Sequence, residues 1–327
     1  RSWLGDVPGI WLDFAGLCRS VIIAHNIFPY SKGLAGEMAL RGVTMDMVKD
    51  CPPGLLVTNP RTGKKVRVFF IKEEYHVGLM ALTEIEITKR RNVAKKLIDH
   101  FKRDTLEDGV TINPHKNMNQ AEVATKRSDG LKLVANSLYG TLGTKSNNGD
   151  MHCAASVTSF SRHYIGQVSE AAQKKGAYLL GGDTDSVFAA FIGDKDGNHR
   201  YATTLEAERA AQDILVPEFN TMFPYPVKLD FEKTMKYFVA TAKKRYIFWF
   251  CLKGEKPRLS FKGSEMVRRD SLEFTRKTMD TFIRILQELP PRELSPEEDA
   301  VWVKERKAKA VEHIREAARI LLTGQLS

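Results

Sequence analysis

Cysteine is scarce and dispersed. The 327 residues hold four, Cys18, Cys51, Cys153 and Cys251, with no C-x-x-C spacing. That excludes a zinc ribbon or iron–sulfur centre of clustered thiolates and argues against a small disulfide scaffold, which leaves an intracellular, reducing compartment as the expectation. Long apolar runs are missing too. The longest, such as Tyr246–Leu252, is strand-length and sits beside lysines, far from the ~18 residues of a membrane span, so no membrane partner is expected. His25, His76, His115, His152 and His163 are scattered and read as structural or surface residues, not ligands. Lys64-Lys65 lacks the G-x4-G-K-S/T pattern of a P-loop. No internal repeat or low-complexity tract interrupts the chain.

What is present supports a folded chain of about two domains at ~150 residues each, or one large one. Hydrophobic residues make up 43% and charged residues 28%, enough apolar surface to exclude whole-chain disorder. The net charge is +10, and most of it lies in one stretch. Lys228 to Asp270 carries 12 Lys and Arg against 5 Asp and Glu, interleaved with Tyr237, Phe238, Tyr246, Phe248, Trp249 and Phe261. Such a strip suits a phosphate backbone; a solvated sheet face with alternating lysines fits it equally well.

Patterning gives the elements. Ile10–Ala15 reads as a buried strand and Ser20–Asn26 as a helix. The Gly- and Pro-rich stretch 29–82 holds a hairpin around Asn59–Gly63. Thr83–Arg103 and Asn119–Tyr139 read as helices joined by polar residues, an antiparallel helical hairpin. Cys153–Lys174 is helical. Tyr178–Leu180 and Val187–Ile192 are strands flanking a tight turn, Gly-Gly-Asp-Thr-Asp-Ser. Leu205–Phe219 is helical, followed by strands at Val227–Phe231, Phe238–Ala242, Tyr246–Leu252 and Arg258–Phe261. Two helices close the chain. The last starts on a capping signature, Ser295-Pro296-Glu297-Glu298, with Val311, Ile314, Ala318, Leu321 and Leu322 at helical spacing.

Two constellations carry chemistry. Asp13 ends one apolar strand, and Asp183 and Asp185 sit in the turn of an apolar hairpin. Carboxylates at strand ends can share hard divalent cations, and two ions about 4 Å apart can clamp both oxygens of an in-line phosphoryl transfer. An Asp-Thr-Asp alone is most often just a turn; the separate strand-end Asp13 favours the metal reading without deciding it. On the helical hairpin, Arg91 and Lys95 share one face, and Lys132, Asn136, Tyr139 and Gly140 share another. Facing each other, the helices would present three cations to one pocket, a match for a triphosphate. Asn136 and Gly140 weaken an otherwise good helix, and Gly140 beside Tyr139 leaves a flat surface for a base pair.

These segments resemble the B-family DNA polymerases, in particular the delta-type replicative and large-virus enzymes, over nearly the whole chain. Asp13-Phe14-Ala15-Gly16-Leu17-Cys18-Arg19-Ser20-Val21-Ile22 is similar to the first palm motif, D-F-x-S-L-Y-P-S-I-I. Lys132 to Gly140 is similar to K-x-x-x-N-S-x-Y-G, and Gly181 to Ser186 to Y-G-D-T-D-S. Lys243-Lys244-Arg245-Tyr246 is similar to K-K-R-Y, and Lys262 to Asp270 to K-G-x-E-T-V-R-R-D. The motifs come in family order.

The resemblance implies an α+β right-hand architecture with an antiparallel-sheet palm, a helical-hairpin fingers subdomain and the start of a helical thumb. Its expected segments are palm with an insertion (1–82), fingers (83–145), palm with catalytic hairpin and primer-grip strands (146–290) and thumb start (291–327). It implies a DNA-templated DNA polymerase core adding dNTPs to a primer terminus in DNA replication. Two Mg²⁺, with Mn²⁺ as a substitute, would be held by Asp13, Asp185 and the backbone carbonyl of Phe14, with Asp183 beside the primer terminus. Leu17, Cys18, Arg91, Lys95, Lys132, Asn136, Tyr139, Gly140 and Thr184 would line the nucleotide site. Lys243, Lys244, Arg245, Tyr246, Lys262, Arg268 and Arg269 would hold primer–template DNA. A processivity factor and a nuclear or virus-infected-cell setting are further implications. Because the chain opens on Arg1 just before the first motif, the resemblance also leads to the expectation that the proofreading exonuclease and most of the thumb are missing.

The departures from the pattern are Gly16, Cys18 and Arg19, where the family has Ser, Tyr and Pro, and Gly181, where it has an aromatic. The family's Tyr excludes a ribose hydroxyl, so Cys18 implies weaker sugar discrimination, while Gly181 would loosen its turn. A catalytically weakened nucleic-acid-binding remnant is the main alternative; a two-metal nuclease is another, but has no use for the triphosphate cradle.

Overall fold

A computed structural model describes residues 2–3, 7–49, 56–58, 63–105, 112–144, 149–251, 258–263, 272–286, 288 and 295–324. The chain forms two compact units, one from residues 1–13, 168–219 and 230–327, the other from 14–167 and 220–229.

The elements run as follows. The first part holds β1 (Ser2–Trp3), β2 (Gly9–Phe14), α1 (Leu17–Ala24), β3 (Lys32–Leu34) and α2 (Ala35–Leu40). Three short strands follow, β4 (Val57–Thr58), β5 (Lys65–Val66) and β6 (Val68–Phe70). Three long helices come next, α3 (Leu79–Lys102), α4 (Met118–Leu142) and α5 (Met151–Lys174). The hairpin β7 (Ala177–Asp183) and β8 (Ser186–Phe191) precedes α6 (Thr204–Ala210) and α7 (Val216–Asn220). The chain continues through β9 (Leu229–Ala242), β10 (Arg245–Cys251), β11 (Arg258–Lys262), α8 (Glu273–Leu286) and α9 (Pro296–Thr323).

In the first unit a seven-stranded sheet has the order β11-β10-β9-β2-β8-β7, with β1 on β9. The ladders β2–β8, β7–β8, β9–β10 and β10–β11 are antiparallel. Strand alternation sends Trp11, Phe188, Phe238, Tyr246 and Phe248 into one apolar cluster with Val7, Leu180 and Met235. Trp11 and Phe188 meet at 4.3 Å between centroids. Val239 and Ile247 form a second cluster with Ile283 and Phe282 of α8.

The pattern expected two strands at 227–231 and 238–242; one 14-residue strand, β9, covers both. The charged residues between them stay in the ladder because β9 bulges. Ile247 pairs with Val239 but Trp249 pairs with Lys236, so β9 carries one extra residue there, where Tyr237 takes φ 51°. The helix expected over 205–219 is broken by a π-type turn at Ala211–Leu215. Pro217 follows it, lacking an N–H for the α-helical ladder, and the wider turn lets the helical path continue. In α9 the capping box at Ser295 forms as expected. Its buried face, however, is Arg306, Ala310 and Ala317, while Val311, Leu321 and Leu322 are exposed; small residues sit on the side that meets α8.

In the second unit α1 begins at Leu17 and ends at Ala24, not at the expected 20–26, because Gly16 (φ 64°) turns the chain straight into the helix. His25 beyond it is a buried pillar. It stacks on Phe160 at 3.6 Å and hydrogen-bonds the Tyr164 hydroxyl at 2.6 Å. Asn26 holds three backbone groups, donating to the Ile71 and His76 carbonyls and accepting from Gly78 N. The β4–β5 pairing supports the expected hairpin, though its turn at 59–62 lies outside the described residues. α5 starts at Asp150, which accepts from His152 N and Cys153 N and pairs with Lys32 at 2.6 Å.

α3 and α4 pack as the expected hairpin, each longer than the pattern indicated. Their connection is tied by Asn117 N to the Phe101 carbonyl and by a bridge between Thr105 and Ile112. The buried positions of α4 are Ala121, Ala124, Ser128 and Ala135, so the helices meet through small side chains. In α3 the buried stripe is Met80, Glu84, Ile87 and Ala94.

Candidate functional site

The acidic site belongs to the sheet. β2 and β8 are neighbours, and Asp13 pairs in register with Ser186, the residue directly after Asp185. Asp183 closes the β7–β8 ladder opposite the same Ser186, leaving Thr184-Asp185 as a two-residue turn with Thr184 at φ 59°. The turn is therefore tighter than the six-residue motif, and both glycines lie in β7. Gly182 is required there, since a Cβ would come within 2.6 Å of the Ser186 carbonyl. At Gly181 a Cβ would meet only the Phe188 ring at 3.8 Å, so the space does not exclude a larger residue. The ladder slips between Leu179 and Gly181.

This register sets Asp13 within reach of the Asp185 charge. Burial, then the Asp185 and Glu232 carboxylates, push Asp13 up to about 6 against the opposing charge of Lys262. Asp185 is also raised, by burial and by Asp183, against a backbone donor, Lys262 and Lys244. Two half-buried carboxylates that resist ionising together are a natural seat for a cation. Among the described residues no group of three or more His, Cys, Asp or Glu side chains is placed to hold a metal. Asp183 plays a different part. Its carboxylate pairs with Lys244 Nζ at 3.0 Å, and the same ammonium donates to Thr184 Oγ1 at 3.2 Å.

Lys243-Lys244 is a second two-residue turn, between β9 and β10, with Lys244 at φ 63°. Both lysines are exposed. Tyr246 lies beneath this turn. Its ring is buried against Phe188 and Phe238, and its hydroxyl accepts from Lys244 N at 3.3 Å; it positions the turn from beneath. Lys262 lies over the Trp11 ring at 4.3 Å, which holds its charge near the carboxylates. Arg245 is half-buried, and Arg268 and Arg269 fall outside the described residues.

The basic site belongs to the second unit. Lys95, Lys132, Asn136 and Gly140 are exposed on α3 and α4, while Arg91 and Tyr139 are half-buried. A Cβ at Gly140 would meet nothing within 4 Å, so the helix surface beside Tyr139 is open. Leu17 is buried and Cys18 half-buried in the first turn of α1. The Tyr139 phenol is raised by burial and then by Cys18, which places position 18 beside Tyr139. Pattern reading missed Glu84, fully buried on α3 with neither carboxylate oxygen hydrogen-bonded. Its signal was a charge on the stripe 80, 84, 87, 91, 94.

Among the described residues no helix is long and apolar enough to cross a membrane.

Residues 6–321 match the profile of DNA polymerase family B. The chain is 31% identical over 296 residues to the DNA polymerase delta catalytic subunit of Dictyostelium discoideum, covering 85% of this chain and 23% of that protein. The delta catalytic subunit of Schizosaccharomyces pombe is 29% identical over 85% of this chain and 24% of its own length. The DNA polymerase catalytic subunit of human herpesvirus 7 is 26% identical, over 85% and 26%. The chain thus spans about a quarter of the length of these relatives, and it belongs to DNA polymerase family B.

Proposed function

We propose that this chain is the nucleotidyl-transfer core of a DNA-templated DNA polymerase, acting in DNA replication on a primer–template with dNTPs. The observation that carries it is the register of β2 on β8, which sets Asp13 opposite Ser186 and so beside the Asp183-Thr184-Asp185 turn, in a family B chain. In this reading the sheet is the palm, the α3–α4 hairpin the fingers and α9 the start of the thumb, on the segments 1–82, 83–145, 146–290 and 291–327.

The donor set fits hard divalent cations. Asp13, Asp185 and the Phe14 carbonyl offer only oxygen, and phosphate oxygens of the substrate would complete the coordination. Two Mg²⁺, or Mn²⁺ in their place, would supply Lewis-acid polarisation of the α-phosphate and activation of the primer hydroxyl. The protein's own part is positioning. Arg91, Lys95, Lys132 and Asn136 bind the triphosphate, and their charge stabilises the departing pyrophosphate. Tyr139, Gly140 and Cys18 flank the base and sugar. Asp183 with Thr184 fixes Lys244 beside the acidic turn, where with Lys243, Arg245 and Lys262 it holds the primer end. Arg268 and Arg269 extend the grip to the duplex, and a processivity factor would supplement it.

Primer extension with Mg²⁺ and dNTPs, beside Asp185→Ala, tests the reading: extension by the parent alone is expected. Repeating it with ribonucleotides tests Cys18, with a several-fold deoxy preference expected and a steeper one in Cys18→Tyr. Primer–template binding without extension would instead identify a nucleic-acid-binding remnant.

A further inference from the structure

The three departures from the family's first motif are physically linked in two of their members. Gly16 takes φ 64° at the start of α1, and a Cβ there would lie 2.8 Å from both Cζ and Nε of Arg19. The Arg19 side chain is folded back over Gly16 and fills the space a side chain at 16 would need. Two of its donors, Nε and Nη1, are buried and have no hydrogen-bond partner. Across from it on α3, Arg91 Nε is buried and unpartnered as well. The two guanidiniums feel each other: Arg91 is lowered by burial and then by the charge of Arg19, against the pull of Asp129 on α4.

Buried N–H groups without acceptors, on two like charges brought together, are an arrangement missing its counterion. Glu84 is the obvious protein candidate, yet both its oxygens are unbonded. Burial pushes it up to about 7 despite the charge of Arg19. A carboxylate half-neutral at pH 7 is a poor partner for two guanidiniums. A ligand with several oxygens at different heights, as in a polyphosphate, fits forked donors better.

We propose that Arg19, made possible by Gly16, is an additional phosphate-binding guanidinium of this chain that clamps the phosphate chain of the incoming nucleotide together with Arg91. The proposal rests on the triphosphate-cradle reading above and adds to it a residue where the resembled family has proline.

The test is binding of inorganic tripolyphosphate to the full chain by titration calorimetry at low salt, with thermal melting alongside, for the parent, Arg19→Met, Arg19→Lys and Glu84→Gln. Arg19→Met is expected to weaken binding about tenfold without lowering the melting temperature, and Arg19→Lys, which keeps the charge but loses the fork, to fall between. Glu84→Gln is expected to bind as tightly as the parent or more so. Parental affinity in Arg19→Met overturns the proposal and leaves Arg19 a structural neighbour of Glu84; if Arg19→Met does not fold, parental affinity in Arg19→Lys does the same. Weaker binding in Glu84→Gln also overturns it. A parent that does not bind tripolyphosphate at all sinks the cradle reading itself, an outcome distinct from indifference to Arg19.

Discussion

In the sheet, Trp11, Phe188, Phe238, Tyr246 and Phe248 fill one face with aromatic volume, whereas the α3–α4 hairpin closes over Ala94, Ala121, Ala124, Ser128 and Ala135. The first region is held by area removed from water and by ring contacts; the second by close backbone approach, with Leu82, Ile85, Val93, Val123 and Leu133 left exposed. The difference follows the tasks proposed for each. Carboxylates that repel one another need a stiff base, and the aromatic layer under β2 and β8 supplies it. A helix pair that presents Lys95, Lys132 and Asn136 to a ligand needs its polar surface more than its core.

The comparison can be broken by exchanging the two packing styles. Phe188→Ala opens a cavity in the aromatic layer and is expected to cost about 3–5 kcal/mol in chemical denaturation; a loss near that of a surface residue would mean the sheet is not held by aromatic volume. The second unit has its own aromatic pillar, and pH isolates it. Burial, then the charges of Lys49 and His163, push His25 down to about 3, below its unfolded value near 6.5. The unfolded chain therefore binds the extra proton. The stability from this site is full above pH 6.5 and falls by about 1.4 kcal/mol per pH unit as pH drops toward 3. Denaturation at pH 7 and pH 5 checks this, and His25→Phe should remove the slope; an unchanged slope assigns acid sensitivity elsewhere. In the hairpin the damaging direction reverses. Ala135→Leu should cost about 1–3 kcal/mol by overpacking the seam, and no cost would show that the helices are not in close contact. The smallest effect is expected at the α5 cap. Asp150→Ala removes the carboxylate that accepts from two backbone N–H groups and pairs with Lys32, for a loss of about 1 kcal/mol in melting experiments.

Much of this was legible in advance because strand and helix periods differ. The β7–β8 hairpin, the long helices and the Ser295 cap all announce themselves through alternation, 3.6-residue spacing and turn chemistry. Three things were hidden, each for a physical reason. β9 reads as two strands because a bulge at Tyr237 shifts the alternation by one residue. The buried side of α9 is not visible in its apolar spacing, because Ala310 and Ala317 are buried while Val311, Leu321 and Leu322 are exposed. The burial of Glu84 depends on which helix lies opposite, a non-local fact that no local period encodes. Within the candidate site, the residue types were visible as motifs, while the division of labour between Asp13–Asp185 and Asp183–Lys244 needed the register of β2 on β8.

A seam of alanines also has a consequence for motion. Little apolar area is exposed when α3 and α4 separate, so the opening of the hairpin requires far less free energy than unfolding the sheet. Amide protons along α3 and α4 should then exchange through a local opening of low energy, while those of β2, β8 and β9 exchange only with global unfolding. A nucleotide bridging both helices would close that gap, and its arrival would be readable as slowed exchange along the pair.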